Sequence, residues 1–153
     1  MRHRFRLLLA ASVPAILALS IGACGGDDNT SSTPSTTTTT STGQTTVKAS
    51  LGEYFIKLDK PSVPAGSVQF DVSNDGKIEH EFVVIKTNLA PDKLPLKGGE
   101  ADEDAGPSPG EIPSVKTGKK KALAVTLKPG KYVLICNLPG HYKAGQSTGL
   151  SVK

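Results

Sequence analysis

Hydrophobic and polar side chains alternate along several short stretches of this chain, beginning near Val47. In SVQFDVSN the apolar residues Val68, Phe70 and Val72 fall on one face, and polar residues fall on the other. KKALAVTL repeats the same two-residue period. Such alternation is typical of half-buried β-strands, and no segment follows a helical period. The pattern therefore predicts a chain built from strands.

Further strands are predicted at 49–59, 80–87, 131–136 and 149–153, separated by Pro-Ala-Gly, Asn-Asp-Gly and Lys-Pro-Gly turns. Short strands at this spacing predict an all-β fold, a Greek-key β-sandwich. The interval 88–110 interrupts the rhythm with prolines, glycine pairs and the acidic run EADED. Loops of this length are uncommon unless they have a role or are mobile. We interpret the acidic stretch 100–104 as solvated, with a partner-docking or cation-binding patch as the alternative.

The N-terminal part of the chain has a different composition. Arginines, an apolar run and small residues before Cys24 form the pattern of a signal peptide over residues 1–23. A transmembrane anchor is the alternative, but Pro14 interrupts a run that is short for a span of roughly 20 residues. The sequence IGAC resembles the lipobox of bacterial lipoproteins, which implies an acylated Cys24. Residues 24–46 are rich in Ser and Thr and predict a disordered tether to a single domain over 47–153.

Removal of this N-terminal signal would change the net charge of the protein. The whole chain has a formal net charge of +4. All its arginines lie within the predicted signal peptide, so the exported protein is close to neutral. The positive net charge of the whole chain is therefore no evidence for nucleic-acid binding. We expect an exported monomer, anchored by lipid to the cell membrane and facing the periplasm or the cell exterior.

The single remaining thiol needs an explanation. If Cys24 carries lipid, Cys136 has no disulfide partner, and it is then buried and inert, reactive, or a metal ligand. It ends the apolar run KYVLIC, and a Pro-Gly turn brings His141 back towards it, while His80 begins the run HEFVVIK. Two imidazoles, one thiolate and a weak fourth donor, here Gln146, form the ligand set of a blue-copper site. Each residue alone is more often structural, so the prediction depends on their combination.

The same stretches resemble the cupredoxins, the plastocyanin and azurin family. The resemblance covers nearly all of 47–153 and rests on VPAGSVQFDVSNDGKIEHEFVVIK and GKYVLICNLPGHYKAG. It implies one type 1 copper ion held by His80, Cys136 and His141. Many members have a methionine where this chain has Gln146. Either the Gln146 amide is the axial ligand, as in stellacyanin-like members, or the fourth position is degenerate.

The resemblance has two further implications. His141 would be the exposed ligand, and an apolar patch of Leu138, Pro139 and Tyr142 would contact redox proteins transiently. Glu81 replaces an asparagine that often ties the two ligand loops together in the family. Because outer hydrogen bonds tune a metal site, this replacement leaves the reduction potential unpredictable from the sequence.

We expect an electron-transfer protein rather than an enzyme, because neither an open coordination position nor a general base is evident. A copper delivery or storage lipoprotein would use the same residues but exchange its metal. A metal-free binding module predicts that His80, Cys136 and His141 do not converge. A catalytic thiol requires a base oriented towards Cys136 and open access for a substrate.

Overall fold

The computed structural model describes residues 43–153. This part of the chain forms eleven strands and one short 3-10 helix, and it contains no helix long and apolar enough to cross a membrane. In chain order the elements are β1 Thr45–Gly52, β2 Phe55–Leu58, β3 Ser62–Val63, β4 Gly66–Asn74, β5 His80–Lys86, β6 Leu96–Lys97, β7 Glu100–Ala101, the 3-10 helix Glu103–Ala105, β8 Gly110–Val115, β9 Lys120–Leu127, β10 Gly130–Ile135 and β11 Ser147–Val152.

Strands β2, β1, β4 and β9 form the first sheet, in that order. β1 pairs parallel with β4, and the other two pairs are antiparallel. Val68, Phe70 and Val72 of β4 are all buried, as their two-residue period predicts, because successive side chains of a strand point to opposite faces. This sheet therefore presents one apolar face to the core.

Strands β3, β11, β10, β5 and β8 form the second sheet, in that order. Its central strands β5 and β10 are buried on both faces, which explains why HEFVVIK and KYVLIC are apolar at successive positions. On the inner face Phe82 packs against Phe70 of the first sheet, with 5.3 Å between the ring centroids. The outer face belongs to a second apolar cluster of Val83, Ile85, Leu94, Ala101, Val133, Ile135 and Tyr142.

The chain changes sheet on both sides of β3, between β4 and β5, between β8 and β9, and again between β9 and β10. These crossovers enclose the main core between the two sheets. The predicted all-β sandwich is therefore confirmed.

The segment 49–59, predicted as one strand, is in fact two. β1 ends at Gly52 and β2 begins at Phe55, and the two strands pair antiparallel around a turn of Glu53 and Tyr54. Tyr54 has a φ of 66°, an uncommon left-handed conformation for a bulky residue. The apolar alternation hides the turn because it resumes directly after it.

The interval 88–110 also differs from its prediction as one long loop. It contains β6, β7 and the 3-10 helix, and it packs on the outer face of the second sheet. Leu94 and Ala101 are buried there, although acidic residues around them remain accessible. Isolated apolar residues between prolines and glycines have no period, so the sequence pattern does not reveal this packing.

The predicted signal peptide of residues 1–23, the lipid site Cys24 and the tether as far as residue 42 lie outside the described residues. Strand β1 begins at Thr45, so Thr45 and Thr46, the last residues of the predicted tether, form part of the first sheet.

Candidate metal centre

The strand order brings the sequence-predicted ligands to one end of the sandwich. His80 is the first residue of β5, and Cys136 follows the last residue of β10. These strands are antiparallel neighbours, with Ile135 opposite Val83, so the start of one lies beside the end of the other. His141 lies in the loop that connects β10 to β11. His80 and Cys136, which are 56 positions apart in the sequence, therefore meet.

One donor atom from each of His80, Cys136 and His141 lies within 4.8 Å of the others. The Cys136 Sγ atom is 3.3 Å from His141 Nδ1 and 3.9 Å from His80 Nδ1. His80 and Cys136 are fully buried, whereas His141 is partly exposed. The three side chains thus form a compact cluster with one face towards solvent, and this is the convergence that the metal-free alternative does not expect.

Hydrogen bonds within the loop after β10 fix the position of His141. His141 N donates to Leu138 O at 2.9 Å, and Gln146 N donates to His141 O at 3.1 Å. Cys136 N donates to Gln146 O at 3.1 Å, which closes the two ends of the loop. Gly140 has a φ of 83°, a conformation that glycine adopts without steric cost, so the Pro-Gly turn is required to return the chain. The loop is therefore a fixed support for the second imidazole.

The Cys136 sulfur lies among backbone donors. Glu81 N is 3.2 Å from Sγ. Burial raises the pKa of the Cys136 thiol, while hydrogen bonds from the backbone of Glu81 and Leu138 act in the opposite direction. Without a metal the thiol is therefore protonated at neutral pH, and it offers little as a nucleophile.

The His80 ring has two different environments. Its Nδ1 atom accepts a hydrogen bond from Gln146 Nε2 at 3.0 Å, on the side of the cluster. Its Nε2 atom is buried, has no hydrogen-bond partner within residues 43–153, and lies 3.9 Å from Glu53 Oε1. Burial, and then the nearby His141, lower the pKa of His80, so the ring is neutral and can act as a ligand.

Gln146 is brought to the cluster, as predicted, but its amide has a defined orientation. Nε2 donates to Gly52 O at 2.9 Å as well as to His80 Nδ1. Oε1 is buried and has no hydrogen-bond partner in the described part of the chain. One thiol, two imidazoles and an amide with a buried, unsatisfied oxygen are donor types that copper favours, so these described residues fit the metal.

The predicted partner patch is only partly at the surface. Pro139 is exposed and Leu138 is half-buried. Tyr142 is only 7% exposed, and its hydroxyl accepts a hydrogen bond from Leu94 N at 2.8 Å, so it supports the loop from inside. Tyr54 has the exposed position instead: it is 49% exposed, and its ring is perpendicular to the His141 ring, with 5.8 Å between the centroids.

Glu81 replaces the asparagine that the resembled family often has after its first histidine, and this chain has an asparagine directly after Cys136 instead. Asn137 follows Cys136, accepts from Ala101 N at 2.8 Å, and donates to Ala101 O and to Glu103 Oε1. Burial and the neighbouring Glu103 raise the pKa of Glu81 to about 7. The loop after β10 is therefore connected through Asn137 to the interval 88–110, which the sequence did not indicate.

Comparison with solved structures identifies the fold. The chain resembles auracyanin A, described as a "blue" copper protein from Chloroflexus aurantiacus, at 21% identity and a TM-score of 0.53, over 72% of this chain and 100% of that one. It resembles rusticyanin from Thiobacillus ferrooxidans at 18% identity and a TM-score of 0.53, over 72% and 77%. The chain thus has the cupredoxin fold, and the resemblance seen in its sequence is confirmed at the level of the fold.

Among curated proteins, the chain is 35% identical over 92 residues to the copper-resistant cuproprotein CopI of Vibrio cholerae. The match covers 58% of this chain, and the chain spans about half the length of that relative, 52%. No protein-family model matches the chain. The fold, the donor cluster and this relative together support copper binding.

Proposed function

We propose that this protein is a type 1 copper protein that transfers single electrons. The observation that carries the proposal is the cluster of His80, Cys136 and His141, whose donor atoms lie within 4.8 Å of one another. Two imidazoles and a thiolate are the strong ligands of blue-copper sites. A copper ion bound there supplies reversible one-electron chemistry.

The surrounding protein favours electron transfer because it holds the donor atoms in place. His80 and Cys136 lie on paired strands, and His141 is fixed by the hydrogen bonds of its loop. Donor atoms that move little between oxidation states keep the rearrangement small. The partly exposed His141 offers an exit for the electron, next to Leu138, Pro139 and Tyr54. Transient redox proteins would contact this surface over a small area, under about 1,200 Å².

The pairing of Cys136 with His141 also resembles a nucleophile with its base, but other features argue against an enzyme. The thiol is fully buried, and burial raises its pKa. A second imidazole, His80, lies 3.9 Å from the sulfur, in space that a substrate of the nucleophile would need. The proposal therefore assigns no catalytic residue. It includes export as a monomer and a lipid anchor at Cys24, supported by the lipobox-like sequence IGAC.

A visible absorption spectrum tests the copper site. We expect the protein, loaded with one equivalent of Cu(II), to show an intense thiolate-to-copper band that disappears in Cys136→Ser. Cys24→Ser is the matched control: it removes the other cysteine of the chain and leaves the band unchanged. A colourless wild-type protein, or a band that survives Cys136→Ser, would refute the proposal.

A second function, copper handling, is favoured by the name of the relative CopI. A delivery or storage protein would use the same three ligands but release its copper readily to an acceptor. The rate of copper loss to a chelator distinguishes the two functions, because an electron-transfer protein retains the metal over many oxidation and reduction cycles.

A further inference from the structure

The protonation of His80 is defined by its neighbours. Gln146 Nε2 donates to Gly52 O, which fixes which end of the amide is nitrogen, and the same nitrogen donates to His80 Nδ1. The lone pair of a neutral imidazole is therefore on Nδ1, facing Cys136, and the proton is on Nε2. This tautomer directs the ring nitrogen that can bind a metal into the cluster.

The proton on His80 Nε2 is buried on the opposite side of the ring. The atom has no hydrogen-bond partner within the described residues, and Glu53 Oε1 faces it at 3.9 Å. A buried donor without an acceptor is costly, so a short movement that closes this gap is favourable. The Glu53 side chain, which is 38% exposed, can make that movement.

The turn before β5 keeps the Glu53 carboxylate within a short movement of His80 Nε2. The backbone amides of Lys77 and Ile78 both donate to Oε1, the second at 3.1 Å. Gly76 leaves room for the carboxylate, because a Cβ atom at that position would lie 2.7 Å from Oε1. These backbone donors also lower the pKa of Glu53, which keeps the group anionic.

The turn is itself fixed by a buried amide. Asn74 Oδ1 accepts from Gly76 N at 2.9 Å, and Asn74 Nδ2 donates to Ile78 O and to Val115 O, each at 2.7 Å. Val115 pairs with His80 in the second sheet. The carboxylate and the imidazole are therefore held by connected parts of one framework.

We propose that Glu53 is a positioning residue for the metal centre, the acceptor that orients His80 through its Nε2 proton. This inference rests on the proposed function, since it concerns how strongly His80 donates to a metal. A carboxylate behind a ligand imidazole increases the donor strength of the other ring nitrogen. It therefore stabilises the more highly charged Cu(II) relative to Cu(I) and lowers the reduction potential.

Copper affinities of Glu53→Gln test this role. The variant keeps the size of the side chain and removes its charge. We expect the affinity for Cu(II) to fall about 10- to 100-fold, in the range found when such outer partners are removed. The affinity for Cu(I) falls less, and the reduction potential rises by 59 mV for each tenfold difference between the two losses.

Glu79→Gln is the matched control, because Glu79 is an exposed carboxylate next to His80 in the sequence. We expect it to leave both affinities and the potential close to wild type. Equal values for the two variants, in a wild-type protein that shows the thiolate band, would overturn the role of Glu53 and leave the proposed function intact. The absence of that band in the wild type would refute the proposed function instead.

Nitrogen NMR of the copper-free protein tests the inference without the metal and without a variant. We expect His80 as the Nε2-protonated tautomer, with an N–H resonance that is protected from exchange. This resonance should shift in Glu53→Gln and stay in place in Glu79→Gln. An Nδ1-protonated His80 in the wild type, or a resonance that Glu53→Gln does not move, would overturn the inference.

Discussion

Gln146 connects the candidate centre to both sheets. Its amide nitrogen donates to Gly52 O at the end of β1 and to His80 Nδ1 at the start of β5. The Nδ1 lone pair that accepts this bond is also the one that a metal would take. Metal binding and the Gln146–His80 hydrogen bond therefore exclude each other. When that bond is released, Gln146 still has Oε1, a buried oxygen that has no partner within residues 43–153, as a donor.

A methionine at this position should change the redox balance. We expect Gln146→Met to raise the reduction potential of the copper-loaded protein, because a thioether is a softer donor than an amide oxygen and favours Cu(I). A redox titration followed by the visible band measures the change. Gln69→Met, on the face of β4 opposite the buried Val68 and Phe70, serves as the control. An unchanged potential in Gln146→Met would show that the side chain does not act on the metal.

At the scale of elements, the interval 88–110 supports the loop that connects β10 to β11 and carries His141. It contacts both flanks of the loop: Leu94 N donates to the Tyr142 hydroxyl, and Ala101 exchanges two hydrogen bonds with the Asn137 side chain. Asn137 follows Cys136 in the chain, so the position of the thiol depends on the hydrogen bonds between Asn137 and Ala101. The polar and acidic sequence of the interval gives no indication of this role.

Removal of the Asn137 amide should destabilise the protein. Asn137→Ala leaves the buried N–H and C=O of Ala101 without partners, and we expect it to lower the free energy of unfolding by about 1–3 kcal/mol. Asn88→Ala, which removes an exposed amide from the interval 88–110, should change the free energy of unfolding by no more than about 0.5 kcal/mol. Denaturant unfolding of both variants measures the difference. Similar changes in the free energy of unfolding for the two variants would contradict the supporting role of the interval.

Prediction from the sequence succeeded where one physical pattern determined the structure. The two-residue period predicted the strand containing Phe70, and the position of His80 and Cys136 at the ends of apolar runs predicted their meeting. It failed for the turn at Glu53, because the alternation on either side continues without a break. It also failed for Tyr142 and Asn137, because their contacts are with a segment that has no period. Residues that act through a tertiary hydrogen bond leave little trace in a single sequence.

For the whole molecule, the sandwich assembles a site that no local segment contains. The side chains of Gln146 and His80 are 66 residues apart in the sequence, and Gln146 and Gly52 are 94 apart. Their meeting depends on the order of strands in both sheets, so the folded protein determines the positions of the donors before a metal arrives. This preorganisation links the cupredoxin fold to the proposed electron transfer.

X-ray absorption at the copper edge of the loaded protein tests this account most directly, because it reports the atoms bound to the metal. We predict one sulfur and two imidazole nitrogens as the nearest neighbours, from Cys136, His80 and His141. A spectrum explained by oxygen and nitrogen neighbours alone, without sulfur, would contradict the proposed type 1 copper site.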